Sequence, residues 1–135
     1  MELSDITTPA LAYLGDSVLE VCVRTYLVRE RGLTTSARLN SASLDFVRAS
    51  AQSEAMGRIE PLLSEEEASY YRRGRNMGHG NVPRSASVAE YRRATGMETL
   101  FGYLHLTGQK ARLEQLFRAA YGLDASAPQT QLSGE

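Results

Sequence analysis

The sequence predicts an all-α protein, on two observations. Apolar residues recur at helical spacing in five successive segments. No segment shows sustained alternation of apolar and polar residues, and the chain has no Asn-Gly or Asp-Gly hairpin signal. At 135 residues the chain fits one domain with a single core. The single cysteine, Cys22, excludes a disulfide framework and fits a reducing compartment.

The first helix is predicted to begin after a threonine cap at Thr7 or Thr8 and to end near 29–32, where basic residues precede a glycine. Apolar residues fill most positions between 11 and 28, which predicts a helix buried on most sides. Charged residues interrupt this run, so it is not a membrane span, and the N-terminus lacks the basic start of a secretory signal. We therefore expect a cytoplasmic protein.

Four further helices follow. The second is predicted over 36–59, and Ser64 caps the third, which has three glutamates in its first turn. Ser87 and Glu90 form a capping box for the fourth, which runs to about residue 106; the fifth covers 109–121. The glycines and proline of 77–85 predict a mobile loop, and the polar tail 124–135 is predicted to be disordered, leaving 1–123 as the folded domain.

Two acids stand in apolar surroundings, Asp16 in the first helix and Glu98 in the fourth. Each has a glycine nearby, Gly15 and Gly102, and a glycine inside a helix is often retained where another backbone approaches closely. The helices are therefore expected to cross at these glycines and to bring the two carboxyl groups together. The pair would then hold a divalent cation, with Mg²⁺ favoured by oxygen ligands. Alternatively, each acid caps a helix or pairs with a nearby arginine.

Two segments resemble the signature motifs of ribonuclease III domains. The first is LGDSVLE at 14–20, and the second is ATGMETLFGYL at 94–104. The segment YRRGRN at 71–76 and the pair Tyr91-Arg92 resemble specifically the Mini-ribonuclease III branch, which lacks a double-stranded-RNA-binding domain. The resemblance covers nearly the whole chain, from about residue 8 to residue 122.

The resemblance implies a homodimeric, all-helical endonuclease that cuts double-stranded RNA with Mg²⁺ and leaves 5′-phosphate and 3′-hydroxyl ends. Asp16 and Glu98 match catalytic, metal-binding acids of the family. Ala12 and Thr95 stand where most ribonuclease III domains have two further acids, and this reduced set is similar to the Mini branch. Tyr13 matches an aromatic residue at the family's dimer interface, although an ordinary core position is an alternative.

The resemblance also implies a role in the maturation of ribosomal RNA precursors. Without an attached RNA-binding domain, specificity is hypothesised to need a partner such as a ribosomal protein. Glu20, the last residue of the first motif, lies a full turn from Asp16 and is expected to play a supporting role such as a salt bridge.

A basic stretch lies between the two motifs. Residues 71–93 contain six arginines and one acid, a local charge of +5 in a chain whose net charge is −1. Such a stretch beside a metal site suits the phosphates of A-form RNA, although a solvated helix face would look the same. The candidate RNA-binding residues are Arg72, Arg73, Arg75, Asn76, Arg84 and Arg92.

Two other functions are compatible with the sequence. The missing acids at positions 12 and 95 favour a non-catalytic helical module that binds structured RNA or ribosomal particles. A helical scaffold for protein partners is the third, and it predicts no salt-sensitive binding of RNA.

Overall fold

The fold is a bundle of six α-helices, seen in a computed structural model that describes residues 1–78 and 86–123. The described ranges contain no β-strand, as the sequence predicts. The helices are α1 (Thr8–Arg29), α2 (Ser36–Val47), α3 (Ala49–Ile59), α4 (Glu65–Arg75), α5 (Val88–Leu106) and α6 (Lys110–Ala120). Short 3₁₀ turns cover Leu3–Asp5 and Glu60–Leu62. The predicted tail, 124–135, lies outside the described residues.

Helix α5 is the centre of the bundle. It packs against α1, α3, α4 and α6, and every residue from 94 to 104 is buried except Glu98. Glu98 is therefore a half-buried carboxyl in an otherwise buried turn, a position at which a polar group needs a hydrogen-bond or charge partner.

Most predicted helix ends are confirmed. Thr7 caps α1 by accepting a hydrogen bond from the Ala10 amide, and Ser64 and Ser87 each begin a capping box. Gly108 follows the end of α5 with φ of 70°, the left-handed conformation in which a glycine commonly ends a helix.

The single helix predicted over 36–59 is wrong. Arg48 adopts φ −60° and ψ 148°, an extended conformation that ends α2 and begins α3. The break redirects the chain so that α2 packs on α1 while α3 packs on α5. Arginine is a good helix former, so the sequence pattern carries no sign of this break.

The predicted burial of α1 on most sides is also wrong. Its inner face is buried, but Val21 and Val28 are 63% and 56% exposed, and Tyr13 is 85% exposed. These residues share one face of the helix, because they are separated by eight, seven and fifteen positions. An apolar face turned to solvent is a feature of surfaces that bind another molecule.

Among the described residues, no helix is both long enough and apolar enough to cross a membrane.

Candidate active site

Helices α1 and α5 meet at backbone-to-backbone distance, as the paired glycines predict. A Cβ atom on Gly15 would lie 1.6 Å from the carbonyl oxygen of Glu98, and one on Gly102 would lie 2.1 Å from the carbonyl oxygen of Leu11. No other residue type fits either position without moving a helix. The crossing places the residues that follow Gly15 directly beside the turn of α5 that carries Glu98.

Asp16 and Glu98 are brought together by this crossing. Their side chains are close enough for a hydrogen bond between the two carboxyl groups. Asp16 is exposed and Glu98 is half-buried, so the pair lies at the edge of the bundle with one side open to solvent.

The surroundings of Glu98 disfavour its charged form. Burial is the main cause and the neighbouring Asp16 carboxylate the second, and together they raise the pKa of Glu98 to about 8. An amide hydrogen bond from Gln52 on α3 acts in the opposite direction. At neutral pH the pair therefore holds a proton, which a bound cation would displace.

The side chains at positions 12 and 95, where most ribonuclease III domains have acids, cannot act as carboxylate ligands. Ala12 is buried and apolar, and the hydroxyl of Thr95 donates to the carbonyl oxygen of Tyr91 at 3.0 Å. Within residues 1–78 and 86–123, no group of three His, Cys, Asp or Glu side chains is arranged to hold a metal.

The two acids fit a hard cation that keeps much of its water shell. Mg²⁺ is commonly bound by one or two carboxylates together with waters and substrate phosphates. The side chain of Gln52 interacts with Glu98, and its buried oxygen Oε1 has no hydrogen-bond partner among the described residues. The donor set is therefore all oxygen, and the residues present are compatible with Mg²⁺.

Glu20 forms a salt bridge, as expected. Its carboxylate accepts a hydrogen bond from Nε of Arg24 at 3.2 Å, one turn further along α1. It is an ordinary i,i+4 ion pair at the surface.

A second close crossing joins α4 to α5. A Cβ on Gly74 would lie 2.2 Å from Oγ1 of Thr99, and one on Gly96 would lie 2.6 Å from the ring of Tyr71. This crossing was not predicted, although glycines in helix interiors are the same signal that located the first crossing. This crossing holds the arginine-rich end of α4 against the helix that carries Glu98.

We call the arginines at the end of α4 and the start of α5 the arginine surface; they are Arg72, Arg73, Arg75 and Arg92. Arg72 and Arg92 are exposed and form no ion pair with any residue in the described ranges. Of the other candidate RNA-binding residues, Asn76 lies at the end of α4 and Arg84 lies outside the described residues.

Two of these arginines are already held in place. The guanidinium of Arg73 lies 4.8 Å above the ring of Tyr70 and donates to Oγ1 of Thr8 at 3.1 Å. The guanidinium of Arg75 lies 5.5 Å from the ring of Tyr71 and donates to Oδ1 of Asn76 at 3.1 Å. Contacts of this kind reduce the side-chain entropy that binding would cost.

The outer face of α1 lies beside a groove between α1 and α6. The groove has a volume of about 390 Å³, and its apolar walls come from Leu14, Val18, Val21 and Leu113. Tyr13 stands at the start of this face with nothing in the described chain covering it.

Comparison with known proteins adds three findings. The family model described as "Ribonuclease III domain" matches residues 9–109. A Mini-ribonuclease 3 of Clostridium tetani is 35% identical over 96% of this chain and 86% of its own length. A Mini-ribonuclease 3 of Symbiobacterium thermophilum is 46% identical over 82% of this chain and 84% of its own length.

The fold also matches a solved structure. The crystal structure of a Fusobacterium nucleatum protein superposes with a TM-score of 0.76 at 28% sequence identity, covering 84% of this chain and 90% of that one.

Proposed function

Since this chain belongs to the ribonuclease III family, in its Mini-ribonuclease 3 branch, we propose that it cuts double-stranded RNA at the Asp16–Glu98 pair with the help of Mg²⁺. The single observation that supports this assignment is the contact between the two carboxyl groups. They are separated by more than eighty positions in the chain and meet where two helix backbones touch.

The two acids have different roles in holding the cation. Asp16 is exposed, so its carboxylate is accessible to both an ion and the RNA phosphate. Glu98 is half-buried and fixed between α1 and α3, so it anchors the ion against the protein. A bound cation would offset the cost of placing two carboxylates together once Glu98 has lost its proton.

The chemistry follows from phosphodiester hydrolysis. Asp16 and Glu98 would hold Mg²⁺, which when bound would lower the pKa of a coordinated water and offset the charge that develops on the leaving oxygen. The water oxygen forms a bond to phosphorus while the bond to the 3′ oxygen breaks, and the 3′ oxygen gains a proton. The products carry a 5′-phosphate and a 3′-hydroxyl.

The arginine surface binds the RNA. A-form RNA presents phosphates and 2′-hydroxyls across its minor groove, and arginine donors suit both. Because the Gly74–Gly96 crossing joins this surface to α5, RNA phosphates bound by the arginines lie in a fixed position relative to Glu98.

Cleavage of both strands requires two active sites, and the exposed face of α1 is the surface through which two copies pair. Tyr13 and Val21 are the most exposed large apolar residues of this helix, and the adjoining groove is largely apolar. A second copy of the chain would bury these residues through a symmetric contact.

The substrate class is a structured precursor of ribosomal RNA, processed in the cytoplasm. The chain contains no second domain for RNA recognition within its described residues, so a protein already bound to the RNA, such as a ribosomal protein, would supply part of the specificity.

The test is incubation of a labelled duplex RNA with the protein and Mg²⁺. We expect cleavage that EDTA stops, and a loss of roughly a thousandfold or more in Asp16→Asn and Glu98→Gln, since a metal supplies several kcal/mol of transition-state stabilisation. The control is Asp45→Asn, the same kind of change at an exposed residue of α2, and this variant should cleave normally. Binding of the duplex without cleavage at any Mg²⁺ concentration would instead favour the non-catalytic RNA-binding module.

A further inference from the structure

Gln52 on α3 is a buried polar residue that the acid pair does not explain. It is 4% exposed and surrounded by the apolar residues through which α3 packs on α5. Burying an amide among apolar groups is unfavourable unless its polar atoms are bound, so its hydrogen bonds need a complete account.

The amide nitrogen of Gln52 serves two acceptors. It donates to the carbonyl oxygen of Val47 at 2.8 Å, across the break between α2 and α3. The side chain also interacts with the Glu98 carboxyl in the sense that lowers the pKa of Glu98, as an N–H donor does. An amide group has two N–H donors, so the same nitrogen has one donor for each acceptor.

This arrangement fixes which way the amide points. The Val47 carbonyl oxygen can only accept, and the interaction with Gln52 lowers the pKa of Glu98 as a donated N–H does, so both contacts belong to Nε2 and not to Oε1. Oε1 is consequently left buried with no hydrogen-bond partner among the described residues. An unpartnered amide oxygen on a side chain that interacts with Glu98 could accept a hydrogen bond from a water on a bound cation.

We propose that Gln52 is a positioning residue, which anchors the Glu98 carboxyl through Nε2 and accepts a hydrogen bond from a cation-bound water through Oε1. The inference rests on the proposed metal site and adds a third helix to it. It also gives the break at Arg48 a role, because that break exposes the Val47 carbonyl that orients the amide.

The experiment measures Mn²⁺ binding to the RNA-free protein by the loss of the free-ion EPR signal, with Mn²⁺ replacing Mg²⁺. The variant Gln52→Met keeps the length of the side chain and removes both hydrogen-bonding ends. We expect its Kd for Mn²⁺ to rise about tenfold, the lower end of what removal of a ligand-supporting group costs. The matched control is Gln115→Met, at an exposed residue of α6, and this variant should bind Mn²⁺ as the wild type does.

A second variant covers the case in which Gln52→Met does not fold. Gln52→Asn retains the amide on a shorter arm, so it cannot reach both Val47 and Glu98, and its Kd should also rise severalfold. In cleavage assays, either variant should need about tenfold more Mg²⁺ for half-maximal rate while keeping most of kcat at saturating Mg²⁺. A residue that only supports folding would not shift the Mg²⁺ requirement in this way.

The outcomes separate this inference from the proposed function. If Gln52→Met or Gln52→Asn is folded and binds Mn²⁺ within twofold of the wild type, while Glu98→Gln loses binding, Gln52 has no such role and the metal site stands. If Mn²⁺ binding is absent in the wild type or unchanged in Glu98→Gln, the metal site itself is overturned and the inference with it.

Discussion

The backbone at Gly15 rests against the carbonyl group of Glu98, so close that a Cβ on the glycine would lie 1.6 Å from that oxygen. This contact sets the separation of α1 and α5 and thereby the separation of the two acids. The glycine is a requirement of the site as much as of the fold.

Replacing this glycine should separate the two helices. We expect Gly15→Ala to lower the free energy of unfolding by about 3 kcal/mol, at the upper end of overpacking costs, because the obstructing atoms are backbone. Urea unfolding followed by circular dichroism measures the change. Gly78→Ala is the control, since a Cβ there meets nothing within 4 Å. Equal stability of the two variants would contradict the close crossing.

The raised pKa of Glu98 predicts how stability varies with pH in metal-free protein. The native state keeps the Glu98 proton up to about pH 8, whereas the unfolded chain loses it near the ordinary glutamate pKa of 4.5. Between these values the native state binds more protons, so this group's contribution to stability is present below pH 4.5 and is lost as pH rises towards 8. Thermal unfolding in EDTA from pH 5 to pH 9 should show the decline.

The variant Glu98→Gln isolates this contribution. It cannot ionise, so the stability lost by the wild type with rising pH should be retained, and above pH 8 the variant should be the more stable protein. Glu67 has the opposite trend, because its hydrogen bonds with Arg112 hold the pKa of Glu67 below its usual value. The difference between wild type and variant is therefore the quantity to follow, and a difference that does not change with pH would show that Glu98 is not held in its neutral form.

If two copies pair through the outer face of α1, a substitution of Tyr13 should change the mass of the particle in solution. Tyr13→Arg should convert dimers to monomers in sedimentation experiments, because it places a charge at the centre of a dry contact. Leu62→Arg, at an exposed apolar residue outside α1, should leave the mass unchanged. A dimer that persists in Tyr13→Arg would place the contact elsewhere.

The arginine surface predicts salt-dependent binding of RNA. Arg72→Gln and Arg92→Gln should each weaken binding of a duplex and reduce the slope of log affinity against log salt by about one. The assay uses Asp16→Asn protein so that the duplex stays intact. Arg31→Gln, an exposed arginine outside the surface, serves as the control, and loss of affinity equal to that in Arg72→Gln would argue for non-specific attraction.

The sequence was sufficient to predict the all-helical class and the meeting of Asp16 with Glu98. Both follow from local signals, since capping residues mark helix ends and glycines within helices mark close contacts. The crossing of Gly74 with Gly96 carries the same signal and was accessible to the same reasoning.

Other features depend on tertiary contacts that no local pattern records. The extended conformation of Arg48 is set by how α2 and α3 pack on different neighbours, and Gln52 looks in sequence like any surface glutamine. The exposure of Val21 and Val28 was mispredicted because apolar residues were assumed to be buried within one chain, whereas a face kept for a partner has the same composition.

The two glycine crossings on α5 have a mechanical consequence. Gly96 and Gly102 are six residues apart, so the contacts with α4 and α1 are separated by about 9 Å along one rigid rod. An inserted residue between them would rotate one contact by about 100° relative to the other. The number of residues between Gly96 and Gly102 therefore fixes the distance between the proposed RNA-binding surface and the proposed site of cleavage.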